Sequence, residues 1–384
     1  MDRLKIGIVG TGYIGNSHIE AIRRIGFAEV VAVTDVNGAL AKKKAHENQI
    51  PHWFESIDEM LADPEIAVIH NCTPNNMHYR FNEKIIKAGK HLFAEKPLAR
   101  NAAESSALVN LLAQNTRVQA AVNYNYRLYP LVQEMRQRVA RGDIGKVNLV
   151  HGSYLQDWLL YATDYNWRIE PEICGVSRAI ADIGSHWMDA VQYVTGARIV
   201  EVCADLVTVI PVRKKSPNQT ETFAVSQETQ FENRVITTED YGAVLFKMDN
   251  QAHGVFYVSQ VSAGHGCFFN FEIDGSNASL QWNQQTADQM WMGFRDQDNH
   301  MILRNPNALS SEARAYTELA KGHPEGWHDA FKNSIRSFYR HILAGGRAHP
   351  DQVSFATFAD GDRLVRLTEA IVQSSLERRW LSVS

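Results

Sequence analysis

"KIGIVGTGYIGNSHIEAIRRI", Lys5 to Ile25, decides the fold. Its first six residues form a strand-like run rich in β-branched side chains, and from Tyr13 the pattern is that of a helix. Between them stand Gly10-x-Gly12-x-x-Gly15. One glycine makes the tight turn, and the second lets the backbone approach a pyrophosphate. The third lets helix and strand pack closely, while the helix N-terminus faces the phosphates. Tyr13 and Ile14, inside the turn, join the candidate cofactor-binding set. A second strand, "EVVAVTD", ends at Asp35, 20 residues beyond Gly15. A carboxylate there accepts from ribose hydroxyls and repels a 2′-phosphate, which favours NAD over NADP. Lys42 to Lys44 are the opposing consideration, because they could attract that phosphate.

Strand and helix go on alternating. "IAVIHNCTP" is a strand with a polar end, "HYRFNEKIIKAG" a helix closed by Gly89, and "KHLFAEKP" a strand. "NAAESSALVNLLAQN" is a helix, and "VQAAVNYNYR" the next strand. Repeated βα units predict a parallel sheet with helices on both faces and a ligand crevice beyond the carboxyl ends of the strands. Asp35, Thr73, Glu95 with Lys96, and Asn123 to Arg127 all fall at such ends. "AEKP" is the most pointed of them: an acid and a base end an apolar strand, and Pro97 stops the ladder. A Rossmann dinucleotide-binding domain over residues 1–123 is the expectation.

From Tyr124 the rhythm changes. After the helix "YPLVQEMRQRVARGDIG" come "KVNLVHGSYLQ", "IVEVCADLVTVIPVR", "DYGAVLFKMD", "AHGVFYVSQVS", "CFFNFEIDG" with "ASLQW", and "QMWMGF". Successive strands without intervening helices predict a large, open, mainly antiparallel sheet over residues 124–384. The fold class is α/β followed by α+β. A second copy covering the open sheet face would give a homo-oligomer, a dimer or tetramer. "KKSPNQTETF", Lys214 to Phe223, is a polar loop.

The stretch "SRAIADIGSHWMDAVQYVTG", Ser177 to Gly196, separates into two stripes on a helix at about 100° per residue. Ile183, Trp187, Ala190, Val191 and Val194 are apolar. Asp182, His186, Asp189 and Tyr193 line the neighbouring stripe, with Asp182 and His186 one turn apart. A carboxylate there can orient an imidazole and support its protonated form. Gly184, inside a helix that would be better without it, points the same way. Asp189 and Tyr193 border the site or a domain interface.

Composition narrows the classes of partner. A net charge of −4 over 384 residues gives no electrostatic reason to expect nucleic acid or an anionic membrane. Four widely spaced cysteines lack any C-x-x-C pair or His/Cys cluster, so neither a disulfide framework nor a metal site is expected. No run approaches the roughly 18 apolar residues of a membrane span. The opening "MDRLKIGIVG" lacks the features of a secretory signal, and the expected location is the cytoplasm.

"GTGYIG", "NCTPNNMH", "AEKPLA", "RGDIGKV" and "DIGSH", in this order and spacing, resemble the glucose–fructose oxidoreductase / inositol dehydrogenase (Gfo/Idh/MocA) family over essentially the whole chain. The resemblance implies that Lys96 and the Asp182-x-x-x-His186 pair form the catalytic set. It also implies that Thr73, Asn75 and His78 lie along the cofactor, and that the Lys-Pro bond is often cis.

The chemistry agrees from below. Oxidising a secondary alcohol removes a hydride and a proton, and nicotinamide takes only the hydride. His186 is suited to take the proton, with Asp182 as its orienter. Lys96 can stabilise the developing alkoxide. The lysine as proton carrier is the alternative.

"YLQDWLL" and "YNWRIEP" bring Gln156, Asp157, Trp158, Trp167 and Arg168 near the strand end and the loop before the catalytic helix. Carboxylates, amides and indoles suit a hydroxyl-rich ring, with Gln156, Asp157, Trp158 and Arg127 toward substrate and Trp167 and Arg168 toward cofactor. Loop anchoring is the competing account of the two tryptophans. "QDW", "WRIEP" and "GHPEGWHDAF" resemble the branch that includes levoglucosan and glycoside 3-dehydrogenases. The expected activity is NAD-dependent oxidation of a sugar, anhydrosugar or cyclic polyol. The alternatives are an NAD-dependent glycosidase working by transient oxidation, and a non-catalytic NAD-binding sensor.

Overall fold

The structure, a computed structural model, describes residues 3–216, 230–346 and 352–383. Most of the polar loop expected at Lys214–Phe223 therefore lies outside the described residues. The chain forms two compact units: Met1–Asn125 with Phe331–Arg363, and Tyr126–Ala330 with Leu364–Ser384.

Among the described residues, the first unit holds six strands: β1 Leu4–Val9, β2 Ala28–Thr34, β3 His52–Phe54, β4 Val68–Asn71, β5 His91–Ala94 and β6 Ala120–Val122. Their spatial order is β3-β2-β1-β4-β5-β6, and every pairing is parallel. The order reverses between β1 and β4, which opens the ligand crevice of a dinucleotide-binding sheet there. Five helices connect the strands: α1 Tyr13–Ile25, α2 Gly38–Glu47, α3 Ile57–Ala62, α4 Asn75–Lys87 and α5 Ala102–Gln114. Ile8 on β1 and Ile22 on α1 are wholly buried, each worth about 1.5–3 kcal/mol relative to exposure. The short strand β3 carries no alternating apolar pattern and escaped the sequence reading.

Residues 331–363 belong to this unit, whereas the sequence boundary at residue 123 left them with the sheet domain. The reason is packing. Phe331 meets His18 edge-on at 4.9 Å, Phe338 lies 5.7 Å from Phe93, and Ala356 bridges Val122 on β6.

The second unit contains β7 Val147–Leu155, β8 Ile199–Val207, β9 Val212–Lys215, β10 Glu232–Val235, β11 Tyr241–Met248, β12 His253–Ser259, β13 Phe268–Gly275, β14 Ser279–Asn283, β15 Gln289–Gly293, β16 His300–Leu303 and β17 Leu381–Ser382. Nine of them form one sheet, ordered β16-β15-β14-β13-β7-β12-β11-β8-β17. Only β7 and β12 pair in parallel, so the sheet is mainly antiparallel. The remaining helices are α6 Pro130–Ala140, α7 Pro171–Cys174, α8 Ser185–Thr195, α9 Ser311–Arg314, α10 Trp327–Leu343 and α11 Phe358–Glu377. Trp187 fixes α8 to the sheet: it stacks on Phe256 at 4.6 Å and donates its indole N–H to the Asn270 carbonyl at 3.0 Å.

Two elements differ from the sequence reading. "IVEVCADLVTVIPVR" is not one strand. It breaks after Val207, and β9 pairs with β10 in a separate ribbon. Arg213 explains the break, because its buried guanidinium bonds to Asp240 and to the Leu159, Tyr161 and Asp164 carbonyls rather than extending the sheet. Nor is Ser177–Gly196 a uniform α-helix. Residues Ile180–Gly184 form a π-helical turn that leads into α8.

Candidate active site

The three glycines of the first turn meet three different constraints. Gly10 has φ +91°, and a Cβ there would lie 2.7 Å from the Cys72 carbonyl oxygen. A Cβ on Gly15 would lie 2.3 Å from the Gly10 carbonyl oxygen. These two are demanded by the protein's own packing. Gly12 is not: nothing lies within 4 Å of where its Cβ would be. It is also the N-cap of α1, with no capping side chain and no acid in the first turn. An exposed backbone before an uncapped helix N-terminus fits an anionic pyrophosphate. Tyr13 is 58% exposed and Ile14 half-buried at the same rim.

Asp35, at the end of β2, holds this loop. Its Oδ2 accepts from the Thr11 N–H at 2.8 Å and the Thr11 hydroxyl at 2.9 Å, and its Oδ1 accepts from the Asn37 N–H at 3.2 Å. Capacity for a ribose hydroxyl therefore remains chiefly on Oδ1. The basic run beside it is already engaged. Lys42 lies over the Trp53 ring at 5.6 Å, and Lys43 and Lys44 pair with Glu47.

The ends of β4 and β5 form a connected polar turn. Thr73 donates its hydroxyl to Asn71 Oδ1 at 2.7 Å, and Asn75 opens α4. The Lys96–Pro97 peptide is cis. Buried His78 spans the turn, with Nδ1 at 2.6 Å from the Pro97 carbonyl oxygen and Nε2 at 2.8 Å from that of Thr73. Burial holds its pKa below the usual imidazole value, against the pull of the two carbonyls. Lys96 is half-buried, and its backbone N–H donates to Glu95 Oε2 at 3.3 Å. Glu95 Oε1 accepts from Asn123 Nδ2 at 2.6 Å and lies 2.9 Å from His18 Nε2. Burial opposes ionisation of Glu95, but His18, Asn123 and Lys96 together outweigh it and hold the carboxyl below its ordinary value. Glu95 thus faces the lysine turn and the core, with its oxygens engaged by protein donors.

His18 and its neighbour His70 were not identified from sequence. Both sit where an apolar side chain belongs, on the inner face of α1 and in the middle of the β4 run "IAVIHN". A histidine at an apolar-face position was the available signal.

In the second unit, Asp182 lies in the π-helical turn and His186 in the first turn of α8. Gln260 Nε2 donates to Asp182 Oδ2 at 2.9 Å. His186 is 8% exposed and packs edge-on against Tyr126 at 5.0 Å. The wider i→i+5 turn alters the stacking of Asp182 over His186 that a regular helix would give, and such turns recur at functional sites. Gly184 is not required by space there, since its Cβ would meet Ile180 and Phe256 at an ordinary 3.6 Å.

Arg127 is buried. Its Nε and Nη2 donate to the Asp189 carboxylate at 2.7 and 2.5 Å, and its guanidinium lies 4.7 Å from the Tyr193 ring. Tyr193 exchanges hydrogen bonds with Gln133. Asp189 and Tyr193 thus knit α8 to α6 and the segment before it. Gln156 Oε1 accepts from the Trp158 indole at 2.8 Å, and Asp157 Oδ2 from the Gly264 N–H at 3.1 Å. Trp158 also packs on the cluster of Leu159, Ile169 and Ile236, which is an anchoring role. Trp167 carries the Arg168 guanidinium 4.4 Å from its ring.

Residues 4–124 match the oxidoreductase family with an NAD-binding Rossmann fold, and residues 132–281 match the GFO/IDH/MocA C-terminal domain. The chain is 28% identical over 403 residues to levoglucosan dehydrogenase of Pseudarthrobacter phenanthrenivorans, spanning 100% of this chain and 99% of that protein. It is 31% identical over 328 residues to 1,5-anhydro-D-fructose reductase of Ensifer adhaerens, spanning 83% of this chain and 88% of that protein. The structure of levoglucosan dehydrogenase in complex with NADH and levoglucosan superposes with a TM-score of 0.88 at 25% identity, covering 100% of both chains. Among the described residues, no helix is long and apolar enough to cross a membrane.

Proposed function

Because the chain belongs to the GFO/IDH/MocA family of NAD-binding oxidoreductases, we propose that it oxidises a secondary hydroxyl of a sugar, an anhydrosugar of the levoglucosan kind, or an inositol-like polyol to the ketone. The supporting observation is the Lys96 turn. A half-buried lysine at the end of β5 is held from one side by Glu95 and bracketed by His78 through Pro97 and Thr73.

Bound NAD supplies the hydride acceptor. His186 accepts the hydroxyl proton, a transfer worth roughly 10²–10⁴-fold in rate. Asp182, held by Gln260, orients the imidazole and favours its protonated form. The Lys96 ammonium donates a hydrogen bond to the substrate oxygen as negative charge grows on it. Gln156, Asp157 and Trp158 bind the ring, with amide and carboxylate groups on its hydroxyls and indole on its C–H faces, while Trp167 and Arg168 serve the cofactor. Asp35 accepts from the cofactor ribose and disfavours NADP.

A panel of pyranoses, anhydrosugars and inositols, assayed for NADH and NADPH formation, tests this reading. Sustained reduction of NAD by at least one of them is the expected result. Cleavage of aryl glycosides without lasting NADH would instead indicate a glycosidase, and NAD binding with no turnover a sensor.

A second copy of the chain is proposed to cover the open sheet face. Leu149, Leu245, Val255 and Tyr257 lie side by side there and are 41–51% exposed. Light scattering should return a dimer or tetramer mass, and Leu245→Glu with Val255→Glu should lower it. A monomer at working concentration would refute the oligomer.

A further inference from the structure

A file of buried side chains ends on Glu95, beside the proposed catalytic lysine. It starts at Tyr339 on α10, whose hydroxyl lies 2.7 Å from His70 Nε2. His70 Nδ1 lies 2.7 Å from His18 Nδ1, and His18 Nε2 lies 2.9 Å from Glu95 Oε1. Tyr339, His70 and His18 are each 0% exposed and Glu95 6%.

The order of partners fixes where each proton sits. Among the described residues, His70 Nε2 is the acceptor within reach of the Tyr339 hydroxyl. A buried O–H without an acceptor is costly, so Tyr339 donates and His70 Nε2 accepts. The proton of neutral His70 is then on Nδ1 and is donated to His18 Nδ1. His18 is left with its proton on Nε2, where it is donated to the Glu95 carboxylate. Every bond in the file points one way.

We propose that Tyr339, His70 and His18 are positioning residues that hold the Glu95 carboxylate in one orientation under the Lys96 turn, through a file of hydrogen bonds whose direction the Tyr339 hydroxyl sets. This rests on the assignment of Lys96 to the chemistry. Reversing the bonds of the file would leave the buried Tyr339 O–H without its acceptor and turn an unprotonated His18 nitrogen toward Glu95. The tyrosine at the far end therefore fixes which imidazole nitrogen faces the carboxylate. Burial supports the arrangement: it drives His70 well below the usual imidazole value, with His18 adding to the effect, and Tyr339 well above the usual phenol value.

The ionisable groups around the file are His70 and Cys72 from β4 and its end, His78 from α4, Lys96 from the turn after β5, and Tyr339 from α10. Burial pushes the Cys72 thiol well up and the His78 imidazole down. The aromatic neighbours Phe93 and Phe331 enclose His18 without an acceptor.

The test uses the full-length protein with ¹⁵N-labelled histidine. The wild type should show His18 as the Nε2–H tautomer and His70 as the Nδ1–H tautomer. Tyr339→Phe should release that order, giving mixed tautomers at both histidines, and lower kcat. His18→Gln, which donates an amide N–H to Glu95, should restore kcat in the Tyr339→Phe background. The opposite tautomers in the wild type, or a Tyr339→Phe variant that loses thermal stability while kcat and both tautomers stay as in the wild type, would overturn the proposal. The tautomer measurement does not depend on turnover. If Lys96→Ala kept full activity, the catalytic reading would fail while the imidazole spectra still decided the proton order.

Discussion

Asp35 Oδ2 accepts two hydrogen bonds from a single residue, Thr11: one from its backbone N–H at 2.8 Å and one from its hydroxyl at 2.9 Å. The carboxylate proposed to select the cofactor therefore also shapes the glycine turn. Asp35→Ala should narrow the NAD/NADP preference in kcat/KM and raise the KM for NAD. Thr11→Val removes the hydroxyl bond while keeping the carboxylate, and should leave the preference intact. An unchanged ratio in Asp35→Ala would refute its selective role.

Lys96→Ala and His186→Ala should each lower kcat by roughly 10²–10⁴-fold. They should differ in ligand binding, because His186 is assigned to the substrate hydroxyl and not to the dinucleotide. Fluorescence titration of His186→Ala should give a near-wild-type Kd for NADH. Wild-type turnover in that variant would sink its role as base.

The glycines separate fold from function. At Gly12 an added Cβ meets nothing within 4 Å, so Gly12→Ala should unfold within about 0.5 kcal/mol of wild type yet bind NADH more weakly. Gly15→Ala drives a methyl to 2.3 Å from the Gly10 carbonyl and should cost about 1–3 kcal/mol or more. Equal losses of stability would contradict this division.

Arg127 and Asp189 form a buried bidentate pair with side chains 7% and 1% exposed. Arg127→Met leaves Asp189 buried without its cation, at a cost of about 3–5 kcal/mol. Arg127→Met combined with Asp189→Leu should recover most of that in denaturant unfolding. Failure to recover would place Arg127 in ligand binding rather than in packing.

Glu95 gives a pH signature with a definite sign. Its carboxyl is held below the ordinary 4.5 in the folded protein, so the unfolded chain binds its proton first as pH falls. The stabilisation is complete above about 4.5 and is lost as pH drops through the folded value. Glu95→Gln should flatten the stability–pH curve in that acid window, measured by urea unfolding. An identical acid slope would mean that Glu95 ionises alike in both states.

The glycine turn, the parallel sheet and the open second sheet were legible in the sequence, because each has a short-range signature. Gly10, Gly12 and Gly15 stand at fixed spacing between an apolar strand and an amphipathic helix, and the polar strand ends at Asp35, Thr73 and Glu95 mark the crevice. The π-helical turn at Ile180–Gly184 was not legible, because an i→i+5 closure leaves no mark on a pattern read at helical period. The break before Arg213 depends on an acid at Asp240, and the role of His18 depends on Tyr339. Partners so far apart in sequence leave no local pattern, so burial of charged and imidazole groups becomes visible only in three dimensions.

The return of residues 331–363 to the first unit bears on biogenesis. During synthesis the six parallel strands emerge early, but Phe331, Phe338 and Tyr339 follow about two hundred residues after β6. Until then Phe93 and His70 lack the rings that cover them, and apolar surface on a nascent parallel sheet invites wrong partners. The nucleotide-binding half is therefore first in the chain and among the last parts to be completed. A fragment ending at residue 125 would be an unfinished intermediate rather than a free-standing domain.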